Sequence, residues 1–192
     1  MENFTDSQLI SLYIEGNHKA FDGLINRYAQ SLYSFIFNLN NNTEEAKDIV
    51  QETFIKAWKN IKKFDHNKNF KTWLYTIGKR TAIDSFRKRK DINFSALDNI
   101  ETDIDFEQTI ADETLLANEI FEQGENIEIV KQALNKISIE DKMIVLLHNG
   151  EEMTFEEIAE ILDKPMNTIK SSYRRSLITL KEYILNMNAP KH

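Results

Sequence analysis

The sequence predicts an all-α fold of two small helical domains joined by a flexible acidic linker. The chain holds five Gly and two Pro in 192 residues, which leaves little of the turn chemistry that a β-rich fold needs. Apolar residues recur at spacings of three and four in the N-terminal and C-terminal parts. A segment rich in Asp and Glu separates them. We therefore divide the chain into 1–90, 91–128, 129–187 and a short tail, 188–192.

Composition narrows the class of protein before any motif is considered. No apolar run approaches the roughly 20 residues of a membrane span, and the first residues lack the basic and apolar blocks of a signal peptide. With no Cys and four scattered His, we expect no disulfide and no metal site. No glycine-rich phosphate loop or catalytic carboxylate pair is apparent. We expect a cytoplasmic protein that is not an enzyme and that needs no cofactor.

The segment 91–128 is the most acidic part of the chain. It holds twelve Asp or Glu and no Lys or Arg. Because the formal charge of the whole chain is −7, the remaining segments together carry +5. The polarity and weak periodicity of the segment are typical of a flexible linker. Two interpretations stay open: a solvated tether, and a nucleic-acid mimic that occupies a basic channel.

Two amphipathic helices are predicted in the first domain between residues 21 and 63. In the first of them, the segment "FDGLINRYAQSLYSFIF", the apolar residues fall on one side of the predicted helix. The second helix opens at the cap candidate Thr43. Its predicted buried stripe is Ala46, Ile49, Val50, Phe54, Ala57, Trp58 and Ile61. Its opposite face combines polar groups with one apolar neighbour, which indicates a docking surface: Asp48, Gln51, Glu52 and Ile55.

A basic helix is predicted to follow at residues 70–90. Positions 71–90 hold seven Lys or Arg against one Asp, with aromatic residues among them. The helix macrodipole explains cations at the C-terminal end. It does not explain Lys71, Tyr75 and Lys79, which recur at a spacing of four and share one side. Cations bind phosphates and exposed rings stack on bases, so this stripe indicates binding of unpaired nucleic acid.

The sequence of the second domain predicts two helices joined by a tight turn. Thr154 and Glu157 form a capping box, and Pro165 stands where a new helix would begin. The predicted inner face of that helix is Ile169, Tyr173, Ser176, Leu177 and Leu180. This is the helix-turn-helix pattern, whose second helix enters the major groove of DNA. The outward residues are Met166, Asn167, Thr168, Lys170, Ser171, Arg174 and Arg175.

With these motifs the chain resembles bacterial RNA polymerase sigma factors of the extracytoplasmic-function (ECF) type, over roughly 18–87 and 129–185. The region-two helix that docks on the clamp helices of the largest polymerase subunit is similar to "DIVQETFIKAW". The segment that opens and reads the minus-ten promoter element is similar to "FKTWLYTIGKRTAIDSFRKRK". The region-four helix-turn-helix that reads the minus-thirty-five element resembles "TFEEIAEILDKPMNTIKSSYRRSL".

The resemblance implies a factor that binds core RNA polymerase, directs it to promoter DNA and helps to melt the minus-ten region. The docking surface on the second helix would meet the clamp helices, the second domain would meet the flap of the second subunit, and the linker would thread the polymerase cleft. An anti-sigma factor or a DNA-targeting protein would be a further partner. The implied minus-thirty-five contacts are the seven outward residues of the helix-turn-helix. The implied minus-ten contacts are Phe64, Asn67, Lys68, Asn69, Lys71, Trp73, Tyr75, Lys79, Arg80 and Arg87.

Some positions depart from the family pattern. Arg80 stands where the family usually has Asn, and Asn167 replaces a usual Gly. Ser172 and Leu177 replace usual basic residues, so the second domain is less basic than the pattern. Two alternatives follow. One is a sigma factor that a separate DNA-targeting partner brings to its sites. The other, less favoured, is a stand-alone helix-turn-helix regulator, which would have no use for a melting helix.

Overall fold

The computed structural model describes residues 4–89 and 127–188, so almost all of the predicted acidic linker lies outside the described residues. Within the described ranges the chain is helical and contains no strand, which confirms the all-α prediction. The first module contains α1 (Asp6–Ile14), α2 (Lys19–Asn40), α3 (Thr43–Asn60), a 3-10 turn (Ile61–Lys63) and α4 (Phe70–Arg89). The second contains α5 (Ile127–Leu134), α6 (Ile139–Val145), a π-helical turn (Leu146–Gly150), α7 (Phe155–Leu162) and α8 (Met166–Asn188).

Helices α2, α3 and α4 pack around a common apolar core in the first module. Leu24, Leu32 and Ile36 from α2 are fully buried. Helix α4 approaches them closely at Gly78, where an added Cβ would lie 3.0 Å from Cδ1 of Leu32. The close helix crossing that the sequence predicts at this glycine is therefore present. Helix α1 covers α2 and is tied to it where Arg27 pairs with Asp6.

The N-terminus of α3 differs by one residue from the sequence prediction. Asn42, not Thr43, is the N-cap, and its side chain accepts a hydrogen bond from the backbone N–H of Glu45. The preceding residue, Asn41, adopts the left-handed conformation that ends α2. The connection between the helices is thus two residues long, and Asn42, the last of three consecutive Asn residues, does the capping because its backbone is extended.

The second module is built on the predicted helix-turn-helix. Thr154 and Glu157 form the capping box of α7, as predicted. Asp163 ends α7 in the left-handed conformation, with φ of 57°, and the chain turns at once into α8. The five residues predicted to face inward along α8 are all buried, which confirms that periodicity: Ile169, Tyr173, Ser176, Leu177 and Leu180.

The two modules touch along α4 and α7. One side of α4 therefore packs on α2 and α3, whereas another side meets the first helix of the helix-turn-helix. This arrangement decides which residues of α4 remain accessible.

Candidate nucleic-acid and protein interfaces

The loop before α4 lies over a cluster of aromatic rings. Phe64, Phe70 and Trp73 form this aromatic cluster, with ring centroids 5.1 Å apart for Phe64 and Trp73 and 5.6 Å apart for Phe70 and Trp73. Phe64 and Phe70 are buried and Trp73 is partly exposed. The two Phe rings thus support the loop from below. Trp73 is the member of the cluster that a base could reach.

The loop itself is polar, exposed and locally ordered. Asp65 accepts hydrogen bonds from the backbone N–H of Asn67, at 3.0 Å, and from its side-chain amide. The side chain of Asn69 accepts a hydrogen bond from the backbone N–H of Thr72, which caps the first turn of α4. Asn67, Lys68 and Asn69 are all exposed. These three residues lie in the chain between Phe64 and Phe70, two members of the aromatic cluster.

Tyr75 corrects the expectation of an exposed ring on α4. Its side chain is fully buried, and its hydroxyl lies 3.1 Å from the hydroxyl of Ser31 on α2. The ring packs on Phe35, with centroids 5.4 Å apart. Burial raises the pKa of the Tyr75 phenol, and a hydrogen bond to Glu151 acts in the same direction. Tyr75 therefore cannot stack on a base in this arrangement, because both modules cover it.

Lys71 and Lys79 lie on the same side of α4 as Tyr75, as their spacing predicts, but that side faces the second module. The Lys71 ammonium lies 5.8 Å from the centroid of the Tyr75 ring. Lys79 is partly buried, and burial, reinforced by the neighbouring Arg80 charge, lowers the pKa of its ammonium group. Arg80 and Arg87 are exposed. Helix α4 thus presents some cations to solvent and others to α7.

The outward face of α3 carries the predicted docking residues. Asp48, Gln51, Glu52 and Ile55 are all exposed, and Ile55 keeps 42% of its surface. The Glu52 carboxylate pairs with Lys56 at 2.9 Å. This hydrogen-bonded pairing lowers the pKa of Glu52, so its carboxylate is ionised at neutral pH.

Trp58 was expected in the buried stripe of α3, and that expectation is wrong. Half of its surface, 50%, is exposed. One turn from Ile55, it borders an apolar groove of about 530 Å³ between α2 and α3. Trp58 follows Ile55 by three positions, and this spacing was the signal in the sequence that both residues share the exposed face of α3. The groove is lined by Phe21, Ile25, Ala29, Tyr33, Lys47, Val50, Gln51, Phe54, Ile55 and Trp58.

The outer face of α8 is accessible at its N-terminal half. Asn167, Thr168, Ser171, Arg174 and Arg175 are exposed. Met166 and Lys170 are partly exposed, and the Lys170 ammonium lies 5.8 Å from the ring centroid of Phe155 on α7. The seven outward residues predicted from the sequence therefore lie together on one helix end.

Two kinds of site are absent from the part of the chain that the structure describes. Over residues 4–89 and 127–188 no group of three or more His, Asp or Glu is arranged to hold a metal ion. No helix within these ranges combines the length and apolarity that crossing a bilayer requires.

Comparisons with known proteins agree with this pair of modules. A family model described as Sigma-70 region 2 matches residues 24–92, and one described as Sigma-70, region 4 matches residues 127–180. The ECF RNA polymerase sigma-E factor of Haemophilus influenzae is 30% identical over 177 residues, which cover 91% of this chain and 93% of that protein. The ECF RNA polymerase sigma factor SigW of Bacillus subtilis is 29% identical over 178 residues, covering 90% and 93%.

Solved structures support the same fold. The sigma factor RpoE of Bartonella quintana, in complex with the anti-sigma factor NepR, aligns with a TM-score of 0.65 at 24% identity, covering 88% of this chain and 99% of that one. CnrH, in complex with the cytosolic domain of CnrY, aligns with a TM-score of 0.68 at 22% identity, covering 96% and 99%. The chain belongs to the ECF family of RNA polymerase sigma factors.

Proposed function

We propose that this sigma factor binds core RNA polymerase, directs it to specific promoters and helps to melt the minus-ten region. The observation that carries the proposal is the pairing of two family modules in one chain, each with an exposed face suited to its task. We assign 1–90 to polymerase docking and minus-ten melting, 91–128 to the linker, 129–187 to minus-thirty-five binding and 188–192 to a tail. The factor has no chemistry of its own, and it acts in the cytoplasm where its polymerase works.

Polymerase docking is assigned to the outward face of α3. Asp48, Gln51 and Glu52 supply charge and hydrogen bonds, and Ile55 supplies an apolar contact beside them. Exposed Trp58 extends this face across the groove to α2. Large exposed aromatic residues beside polar ones are typical of the energetically dominant part of an interface. We therefore add Trp58 to the docking residues.

Minus-ten binding is assigned to the loop before α4 and to the exposed cations of α4. Opening a duplex forfeits stacking of about 1–2 kcal/mol per base step. Trp73 can stack on an extruded base, and Phe64 supports the loop that shapes its pocket. Asn67, Lys68 and Asn69 can bind the edge of that base or its phosphate. Arg80 and Arg87 can bind the backbone of the opened strand.

Minus-thirty-five binding is assigned to the exposed N-terminal half of α8. Arg174, Arg175 and Lys170 supply the cations, and Asn167, Thr168 and Ser171 supply shorter polar groups for base edges. Ser172 and Leu177, which replace usual basic residues, are buried and could not reach DNA in this structure. The lack of a basic residue at these two positions is therefore weaker support for a DNA-targeting partner than it was in the sequence analysis. We propose direct reading of the element and keep partner recruitment as the alternative.

The linker is assigned a passage through the polymerase cleft, by family resemblance and by its twelve acidic residues. Carboxylates there would occupy positions that nucleic acid phosphates otherwise take. Because the linker lies almost wholly outside the described residues, this assignment depends on sequence alone.

Run-off transcription with core polymerase over a library of random promoters tests the proposal. Adding this chain should yield transcripts that begin at a fixed distance from two shared sequence elements. Core polymerase alone is the control. If only one element, near minus ten, is enriched, recruitment by a DNA-targeting partner replaces direct minus-thirty-five reading. An absence of chain-dependent transcripts would contradict the proposed function itself.

A further inference from the structure

The π-helical turn of the second module, Leu146–Gly150, ends on a reactive pair of residues. Positions 149 and 150 form the only Asn–Gly pair in the sequence. In such a pair the backbone nitrogen of the glycine can attack the side-chain carbonyl carbon of the asparagine, because glycine has no Cβ that obstructs the approach. Asn149 is partly exposed and Gly150 is exposed, so water reaches both residues. The turn therefore carries an amide that can be lost without the help of an enzyme.

The side chain of Asn149 fastens the π-helical turn and joins it to α8. Its amide nitrogen donates to the backbone carbonyl of Val145 at 3.1 Å. Its amide oxygen accepts a hydrogen bond from the hydroxyl of Tyr173 at 3.0 Å, although 24 positions separate the two residues in the sequence. One end of the amide must be a donor and the other an acceptor for both contacts to form.

Tyr173 is the residue of α8 that packs on the π-helical turn. It keeps 1% of its surface. Its ring lies edge-on to the ring of His148, with centroids 4.8 Å apart, and to the ring of Phe155, with centroids 5.3 Å apart. The next residue along α8 is Arg174, which we assign to minus-thirty-five DNA. The hydrogen bond between Tyr173 and Asn149 therefore helps to fix the part of α8 that is assigned to DNA.

Deamidation of Asn149 proceeds through a cyclic imide and consumes one water molecule. The Gly150 nitrogen forms a bond to Cγ of Asn149 and loses its proton, while the bond from Cγ to Nδ2 breaks and the amide nitrogen leaves as ammonia. Water then adds to one of the two carbonyl carbons of the ring, and the bond from that carbon to the ring nitrogen breaks. The product is an aspartyl residue, or an isoaspartyl residue in which the main chain passes through the former side chain.

The surroundings of the pair leave room for this reaction, and its two hydrogen bonds slow it. A Cβ added at Gly150 would meet no atom within 4 Å beyond its chain neighbours, so there is open space beside the attacking nitrogen. The Asn149 amide must first leave both Val145 and Tyr173. Each hydrogen bond makes such an opening about 2- to 12-fold rarer, and the two together about 5- to 150-fold rarer.

We propose that Asn149–Gly150 is a deamidation site, at which loss of the amide loosens the π-helical turn from α8 and weakens DNA binding by the second module. A carboxylate only accepts hydrogen bonds, so one of its oxygens would face the Val145 carbonyl where the amide now donates. The isoaspartyl product also lengthens the main chain of the turn. Because the lost ammonia is not regained, the site limits the working life of the second module. The reaction itself is independent of the proposed function, whereas its effect on DNA binding rests on it.

Peptide mass spectrometry of the full-length chain, incubated at mildly alkaline pH, tests the reaction. It detects conversion at position 149 by the mass difference between an amide and an acid. We expect the folded chain to convert about 5- to 150-fold more slowly than the chain in urea. Y173F removes one of the two hydrogen bonds and should speed conversion of the folded chain by about 2- to 12-fold.

G150A is the matched control for the reaction. The added methyl group meets no other part of the described chain, so this variant should fold, but the methyl group obstructs the attack and conversion should almost cease. Conversion of G150A at the unsubstituted rate would overturn the proposal. So would a folded unsubstituted chain that keeps its amide beyond the expected range.

N149D supplies the aspartyl product directly and tests its effect. The matched control is N186D, which makes the same change at an exposed position near the end of α8. In urea unfolding, the midpoint of N149D should be lower than that of N186D. In holoenzyme, affinity for a duplex promoter should fall by about 2- to 12-fold for N149D and stay unchanged for N186D. If N149D does not fold, deamidated unsubstituted chain purified by anion exchange takes its place. Equal stability and equal DNA affinity of the two forms compared would overturn the proposal.

Transcription separates this inference from the proposed function. If unsubstituted holoenzyme initiates at its promoters while the amide at position 149 persists, the deamidation site is wrong and the proposed function stands. If the amide is lost as expected but the unsubstituted holoenzyme does not initiate, the proposed function is wrong and the reaction at position 149 stands.

Discussion

The hydroxyl of Tyr75 on α4 lies 3.1 Å from the hydroxyl of Ser31 on α2, inside the first module. This contact places a residue of the predicted melting stripe in the core. It also joins the helix that carries the minus-ten residues to the helix that borders the docking groove. The role of Tyr75 is therefore structural in this arrangement, and its substitutions should be measured first as changes in stability.

Two substitutions of Tyr75 should distinguish the contribution of its hydroxyl to stability from that of its ring. Y75F removes one hydrogen bond and should lower the free energy of unfolding by about 1 kcal/mol. Y75A also leaves a cavity against Phe35 and should cost about 3–5 kcal/mol. Urea unfolding followed by circular dichroism measures both. S31A is the matched control, because it removes the partner hydroxyl without a large cavity. A Y75A protein as stable as the unsubstituted chain would contradict the burial of this ring.

Buried Tyr75 and partly buried Tyr28 predict a loss of stability at high pH. Burial raises the pKa of both Tyr28 and Tyr75 above the ordinary value near 10, with a hydrogen bond to Asp6 adding to the effect at Tyr28. The folded state therefore retains their protons where the unfolded chain loses them. This contribution is fully present below about pH 10 and is lost as the pH rises further.

The measurement is urea unfolding at several pH values between 8 and 11. Each tyrosine contributes a slope of at most about 1.4 kcal/mol per pH unit above pH 10. Lysines titrate in the same range, so the comparison is between the unsubstituted chain and Y28F or Y75F. Each variant should have a flatter slope than the unsubstituted chain. Identical slopes would mean that these phenols titrate normally.

The polymerase-docking face can be tested without disturbing the core. I55A/W58A removes two exposed apolar side chains, so the helical signal and the unfolding midpoint should change little. If both side chains are central to the interface, affinity for core polymerase should fall by about 2 kcal/mol, or 30-fold in Kd. D48A/Q51A/E52A should weaken binding further and make it less dependent on salt.

The matched control for docking is D22A/N26A/Q30A, which changes three exposed polar residues of α2. It should bind core polymerase as the unsubstituted chain does. Fluorescence titration with labelled core polymerase measures all three variants. Unchanged affinity for both α3 variants would assign docking to another surface.

Local periodicity predicted a large part of the fold and failed where tertiary contacts decide. The inner face of α8, the capping box at Thr154 and the close approach at Gly78 each follow from spacing or backbone chemistry within a few residues. Trp58 is different. Its position on α3 fits the apolar stripe, but no neighbouring helix reaches far enough to cover it, so half of its surface stays exposed.

The residues assigned to minus-ten DNA show more clearly that local spacing does not predict tertiary contacts. The spacing of Lys71, Tyr75 and Lys79 correctly predicts that they share one side of α4. The sequence could not indicate what covers that side, because the partners lie about 80 positions away. In the sequence, Glu157 has a local explanation as a capping residue and Glu160 as a solvated charge. Their contacts with Asn69 and Lys68 arise only when the modules meet.

A promoter opened in advance as a mismatched bubble should distinguish melting residues from residues that bind duplex DNA. R80A/R87A removes the two exposed cations assigned to the opened strand, and it should slow open-complex formation more than closed-complex formation. The bubble supplies the energy of strand opening, so it should restore initiation by this variant at least in part. K88A is the control within α4, because Lys88 is exposed but has no assigned role.

R174A and K170A should respond differently to the same bubble, because α8 is assigned to duplex DNA upstream of it. Loss of a base-edge contact costs about 1–3 kcal/mol and relaxes preference at one position, whereas loss of a phosphate contact weakens all sequences alike and reduces the salt dependence. Neither loss is compensated by opening the minus-ten region, so the bubble should leave both defects in place. Run-off transcription from paired duplex and bubble templates, at two salt concentrations, measures each effect.

If R174A and K170A initiate normally on every duplex promoter that the factor uses, α8 does not locate the promoter. Recruitment by a DNA-targeting partner would then be the better account of promoter choice.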